Sequence, residues 1–192
     1  YDRVHLTEFF SGKTAEDLSM VTEGFFEDNN IKIHIGDKAV EIDPRRKFVT
    51  SAKGETINYD KLVLATGSYP FVPPVSGHDR KNCFVYRTIE DLEAMTEAAT
   101  TAKVGAVIGG GLLGLEAANG LMKQGMDVTV IHNVDVLMNR QLDQPSAKLL
   151  AQSLEERGLK FKLAAVSKEI HGDDSGSVNA ISFQDGEKLP AD

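Results

Sequence analysis

The sequence predicts an α/β fold, and three observations predict it. Residues 109–114 read Gly-Gly-Gly-Leu-Leu-Gly, a G-x-G-x-x-G turn. The turn lies between an apolar run at 104–108 and a helix-periodic stretch, and a second apolar run at 128–131 comes after them. Strand, helix and strand in that order make a βαβ unit. Elsewhere, between 31 and 64 and again beyond 159, apolar and polar residues alternate, which is the period of half-buried strands.

In chain order, Thr14-Ala15-Glu16-Asp17 has the form of a capping box, with Asp17 where Glu or Gln is usual. Leu18, Val21, Phe25 and Phe26 recur at helical spacing after it, so the pattern predicts an amphipathic helix over 14–28. Short strands come next as a meander, with turns at Asp43-Pro44-Arg45 and Lys53-Gly54, ending in the buried-type strand Leu62-Val63-Leu64-Ala65. Pro70, Pro73, Pro74 and Gly77 mark a stiff connector. Thr88, with Asp91 completing a box, opens a helix over 88–100. Beyond the βαβ unit comes a helix from Pro145 to Arg157, stopped by Gly158. The tail, 159–189, reads as an antiparallel meander with a loop at 172–176. The change of character near 101–103 is the expected domain boundary.

Composition narrows the function. The 192 residues are 41% hydrophobic and 26% charged, a globular mix, and the net charge of -8 offers no basic stripe to a phosphate backbone. Nucleic acid is therefore not an expected partner. The longest uncharged apolar stretch, 104–115, is too short and too glycine-rich to span a bilayer, so no membrane is expected either. A single cysteine, Cys83, excludes an internal disulfide and any cysteine-held cluster. With no charged-then-apolar leader in view, a reducing, cytoplasmic setting is expected. The chain starts at Tyr1 and stops at Asp192 without a closing element, and it reads as a piece of a longer protein.

The glycine turn carries the chemistry. Gly109 permits the tight turn, Gly111 lets backbone approach a pyrophosphate, and Gly114 allows close helix–strand packing. Gly110, Leu112 and Leu113 complete the turn, and the helix after it offers N–H groups and its positive dipole end to an anion. A glycine-rich βα turn that binds nothing is the competing reading, and the flanking strand–helix–strand pattern decides against it. The nucleotide's 2′ position should be read at the end of the second strand, where His132 stands instead of a carboxylate. His132 either faces the ribose or faces solvent. Ala65-Thr66-Gly67, small residues ending a strand, suit a flat cofactor lying close to backbone.

Taken together, Ala65-Thr66-Gly67, Pro73-Pro74-Val75-Ser76-Gly77 and Gly109 to Glu116 resemble the two-dinucleotide flavoprotein reductases, in which an NAD(P)H domain is inserted into an FAD domain. The match is closer still to the amino-terminal region of the large subunits of NAD(P)H-dependent assimilatory nitrite reductases. It is carried by Tyr1 to Leu6, Ala65 to Pro70, Cys83 to Leu92, Gly109 to Ala118, Leu137-Met138 and Gln141 to Gln144. The resemblance implies the two-dinucleotide-binding flavoprotein reductase fold, with Rossmann-like FAD and NAD(P) domains present as a fragment. Residues 1–103 would be part of the FAD domain and 104–192 a truncated NAD(P) domain. It implies hydride transfer from NAD(P)H to FAD in the parent, with sirohaem and iron–sulfur modules downstream. A flavoprotein component of an oxygenase electron chain is the alternative, and the fragment alone would bind nucleotide without turnover.

Residue by residue, the resemblance assigns Arg3 and Arg87 to the flavin nucleotide, Ala39 to the adenine through its backbone, and Ala65, Thr66 and Gly67 to the turn that passes the flavin. Glu116 falls near the nicotinamide; otherwise it is an ordinary helix-surface carboxylate. Two departures stand out. Glu8 occupies a position where relatives with ferredoxin-type partners often carry Lys, and no cysteine falls between Leu6 and Glu8, which argues against thiol–disulfide chemistry. Cys83 reads as a small packed residue, and Met20, Met95 and Met122 as core filler. The histidines at 5, 34, 78, 132 and 171 lack ligand spacing, so no metal site is expected.

Overall fold

The computed structural model describes all 192 residues and contains two compact units. The smaller is Val21–Tyr69, and the larger combines Tyr1–Met20 with Pro70–Asp192.

The smaller unit holds one helical turn, α1 (Phe25–Asp28), and three strands: β1 (Ala39–Asp43), β2 (Phe48–Ser51) and β3 (Thr56–Asn58). They form the expected antiparallel meander in the order β1-β2-β3, with a register shift between Ala39 and Glu41. The Asp43 carboxylate makes the first turn by accepting from the N–H groups of Arg45 and Arg46 at 2.9 and 2.8 Å. Two expectations fail in this stretch. Leu62–Ala65 is not a buried strand: no strand of the chain pairs with it, and Val63 is 85% exposed. An apolar run becomes a buried strand only when a neighbouring edge accepts its ladder, and none does.

The helix over 14–28 does not form either. The Thr14–Asp17 box is made, with Thr14 N–H donating to Asp17 Oδ2 at 2.8 Å and Asp17 N–H to Thr14 Oγ1 at 3.2 Å. It closes only a turn. Gly24 lies in the left-handed region at φ 78°, and α1 begins after it. The apolar residues share no buried face: Leu18 is 3% exposed, whereas Met20 is 73% exposed and so not core filler. Of 14–28 only the single turn α1 is helical, and a 3-10 helix precedes the region at Leu6–Ser11, with Leu6 and Phe10 buried.

In the larger unit, α2 (Ile89–Ala98) starts at the expected Thr88 cap, with both bonds of the box present. The βαβ unit comes next as β4 (Val104–Ile108), α3 (Leu112–Lys123) and β5 (Asp127–Ile131). β4 and β5 pair in parallel from Val104↔Asp127 to Ile108↔Ile131. The Asp143 carboxylate caps α4 (Gln144–Glu155) by accepting from Ser146 N–H at 2.9 Å. The tail then divides. β6 (Lys160–Lys162) joins β5 in parallel, which corrects the expected meander at its first residues, because the α4 crossover returns the chain in the same direction. Only β7 (Ser167–Gly172), β8 (Val178–Phe183) and β9 (Lys188–Pro190) form the antiparallel meander.

α3 supplies residues to two cores. Leu115 and Ala118 pack with Val128, Val130 and Leu137, while Ala117 joins Leu6, Phe10, Leu18, Ile89, Leu92 and Met95. The glycine turn at the head of α3 is thus mounted on a helix anchored on both sides. No helix is long and apolar enough to cross a membrane.

Candidate nucleotide site

β4 ends at Ile108 and α3 starts at Leu112, so Gly109, Gly110 and Gly111 make the whole turn. Gly109 sits at φ 129°, closed to residues with a side chain, and its N–H donates to Ile131 O at 2.8 Å. A Cβ on Gly114 would lie 1.9 Å from Gly109 O, so the helix approaches the turn as closely as only glycine allows. A Cβ on Gly111 would meet nothing within 4 Å. Open space lies in front of this backbone. No side chain caps α3 and no acidic residue stands in its first turn, so its leading N–H groups and positive dipole end are free for an anion. Leu112 and Leu113 are exposed on that first turn.

The structure brings His132 to the same place. It comes directly after β5, and the Gly110 backbone packs so close to its ring that a Cβ there would lie 2.8 Å from the imidazole carbons. Its Nε2 is 3.4 Å from Asn139 Oδ1. Met138 N–H donates to Gly110 O at 2.9 Å, which ties the segment after β5 to the turn. Leu137 is fully buried beside it. Sequence patterning gives no sign of this support from 137–139, since a contact across the βαβ unit leaves no periodic signal.

Glu116 is half-buried on α3, and its Oε2 accepts from Tyr86 Oη at 3.5 Å. Burial pushes the Glu116 carboxyl above the usual carboxylate range. The Tyr86 phenol is also pushed well up, by burial first and by the nearby Glu116 second. An apolar cavity of about 380 Å³, lined by residues including Phe71, Val72, Tyr86, Val107, Ile108 and Leu113, adjoins these elements.

The remaining expected residues are not gathered in this way. Arg3 is exposed and Arg87 half-buried in the larger unit, and neither makes an ion pair. Ala39, Ala65, Thr66 and Gly67 are exposed in the smaller unit, with Ala39 at the start of β1 and Gly67 at φ 69°. Neither unit closes a cradle around its share of them. Cys83 is free and half-buried, with burial raising its thiol, as expected of a packed residue rather than a nucleophile. No group of three or more His, Cys, Asp or Glu residues is placed to hold a metal.

Known proteins share this sequence and geometry. The chain is 45% identical over all 192 residues to the NADH nitrite reductase large subunit of Escherichia coli (strain K12), of which it covers 23%. It is 41% identical over 193 aligned residues to the NAD(P)H nitrite reductase of Bacillus subtilis (strain 168), covering 24% of it. It thus spans about a quarter of the length of these curated relatives. A ferredoxin reductase for the CYP199A2 system from Rhodopseudomonas palustris superposes on the whole chain with a TM-score of 0.92 and 26% identity, over 48% of that structure. The model of one family, pyridine nucleotide-disulphide oxidoreductase, matches residues 4–192, and with the strand–glycine turn–helix geometry in place the chain belongs to that family.

Proposed function

We propose that the chain is the nucleotide-binding oxidoreductase module of a nitrite reductase large subunit, in a parent protein that uses NAD(P)H and FAD. The observation that carries this reading is the open space at Gly111 in front of the uncapped α3 N-terminus. Residues 104–192 serve the pyridine nucleotide and 1–103 belong to the FAD part. The turn Gly109–Gly114 and the first N–H groups of α3 hold the pyrophosphate, as the helix dipole favours. Glu116, further along α3, faces the nicotinamide end. His132, against Gly110, lies at the adenosine ribose. Imidazole neither repels a 2′-phosphate as a carboxylate would nor grips it bidentately as arginine would, so NADH and NADPH are discriminated weakly.

The parent's FAD supplies the redox chemistry. Arg3, Arg87, Ala39, Ala65, Thr66 and Gly67 do not close a flavin site within either unit, so the flavin step belongs to the longer parent. Its sirohaem and iron–sulfur modules lie outside this chain, which has one cysteine. The resemblance in fold to a ferredoxin reductase keeps a second reading open, the flavoprotein component of an oxygenase electron chain.

Calorimetric titration with NADH and NADPH tests the site. Gly111→Val fits the local backbone, φ -87° and ψ -179°, but its methyls enter the nucleotide's space. An affinity loss of about tenfold or more is expected, with the fold retained. Equal affinity in both proteins removes the turn from nucleotide binding.

A further inference from the structure

Tyr86 has no part in the glycine turn, yet it is the one side chain that reaches Glu116. Its ring is held from several sides. Phe10 of the 3-10 helix stacks on it with centroids 6.4 Å apart and planes 9° from parallel. Two residues later the chain enters the Thr88 cap, and Ile89 and Leu92 are buried in the core that Tyr86 borders. The phenol is therefore fixed before any ligand arrives.

Glu116 is fixed at its Cα by Leu115 and Ala117, which are buried in separate cores, but its carboxyl has no ion-pair partner. The charge environment is simple. Burial and the Tyr86 hydroxyl act on Glu116, and no Asp, Lys, Arg or His from the 3-10 helix, α2, β4 or β5 does. A half-buried carboxyl with no donor drifts towards its neutral form and turns freely, whereas an O–H donor favours the ionised form and selects one oxygen.

We propose that Tyr86 is a positioning residue, whose hydroxyl orients the Glu116 carboxylate and keeps it ionised to accept the carboxamide N–H of a nicotinamide. This rests on the assignment of the glycine turn to a nicotinamide dinucleotide. An ionised carboxylate is an acceptor only and becomes a poorer partner for a carboxamide donor once protonated. Nucleotide binding should therefore weaken as pH falls through the Glu116 titration. The Tyr86 phenol stays protonated throughout this range and so remains a donor.

Tyr86→Phe keeps the ring and its stack on Phe10 and removes only the donor. Two measurements are made on wild type, Tyr86→Phe, Glu116→Gln and the double variant. One is the Glu116 titration, by carbon NMR of protein labelled at its glutamate carboxyls, without nucleotide. The other is NADH affinity by calorimetry from about pH 4 to about pH 8. In Tyr86→Phe the Glu116 midpoint should move to higher pH. NADH should then bind about two- to tenfold more weakly at the wild-type midpoint, the size of one lost hydrogen bond. In the Glu116→Gln background Tyr86→Phe should change nothing further. A Glu116 midpoint that stays in place, or an affinity loss equal at every pH and persisting with Glu116→Gln, overturns the proposal. Failure of wild type to bind NADH at all overturns the nucleotide-site reading itself, a result distinct from intact binding that ignores Tyr86.

Discussion

The chain contains two threonine–aspartate boxes with the same local bonds and different outcomes. At Thr14 the backbone N–H reaches Asp17 Oδ2 at 2.8 Å, and at Thr88 the same atom reaches Asp91 Oδ2, also at 2.8 Å. The return bonds are 3.2 and 3.3 Å. Yet the first box closes a turn, and the second opens the ten-residue helix α2. The residues after each box make the difference. Ile89, Leu92 and Met95 recur on one face and are all buried, whereas after Leu18 the residues Met20, Val21 and Phe25 are exposed. A cap satisfies donors that a helix would otherwise leave open, but it does not supply the apolar burial that offsets the entropy of ordering the turns beyond it.

The contrast between the boxes is most open to test at the packing. Leu92 is fully buried, and Leu92→Ala should cost about 2–5 kcal/mol in urea unfolding, while Met20→Ala stays within about 0.5 kcal/mol. Equal losses at the two positions would mean that the region after Thr14 is packed in solution. The caps come next. Thr88→Ala should cost about 0.5–2 kcal/mol and lower helical circular dichroism, and Thr14→Ala should lose less and leave the helical signal unchanged, since no helix starts there. A drop in helical signal for Thr14→Ala would restore a helix to 14–28. The smallest effect is electrostatic. Asp17 is held below the usual carboxylate range, chiefly by the Thr14 backbone N–H. Because its folded value is lowered, its stabilisation is present above the unfolded value of about 3.9 and disappears as pH falls through the folded one. The backbone donor survives Thr14→Ala, so the NMR titration midpoint of Asp17 should stay low in that variant. A midpoint restored to the unfolded value would assign the effect to the hydroxyl.

The same distinction separates what was legible in the candidate site from what was not. Gly109, Gly111 and Gly114 could be assigned roles from spacing, because a left-handed turn, an open approach and a close helix contact each demand the absence of a Cβ at a set position. Glu116 and His132 could be placed on α3 and at the end of β5 by counting. Tyr86, Phe10 and the 137–139 segment could not. The Tyr86–Glu116 contact crosses 30 residues and the Phe10–Tyr86 stack 76, and no periodicity encodes such pairs. The run Leu62–Ala65 misled for a related reason: its composition states a preference for burial and names no partner.

The sequence by itself determined the elements whose cause is local. These are the glycine turn, the α2 cap, the turn at Asp43, and the strand–helix–strand order that selects a parallel sheet. Each arises from backbone sterics or from hydrogen bonds spanning a few residues. Tertiary structure alone decided which apolar segments were buried. It left 14–28 without its helix and Leu62–Ala65 without a ladder, and it set β6 parallel to β5. It also brought Tyr86 to Glu116. Burial and pairing are properties of two surfaces meeting, and one stretch of sequence describes only one of them.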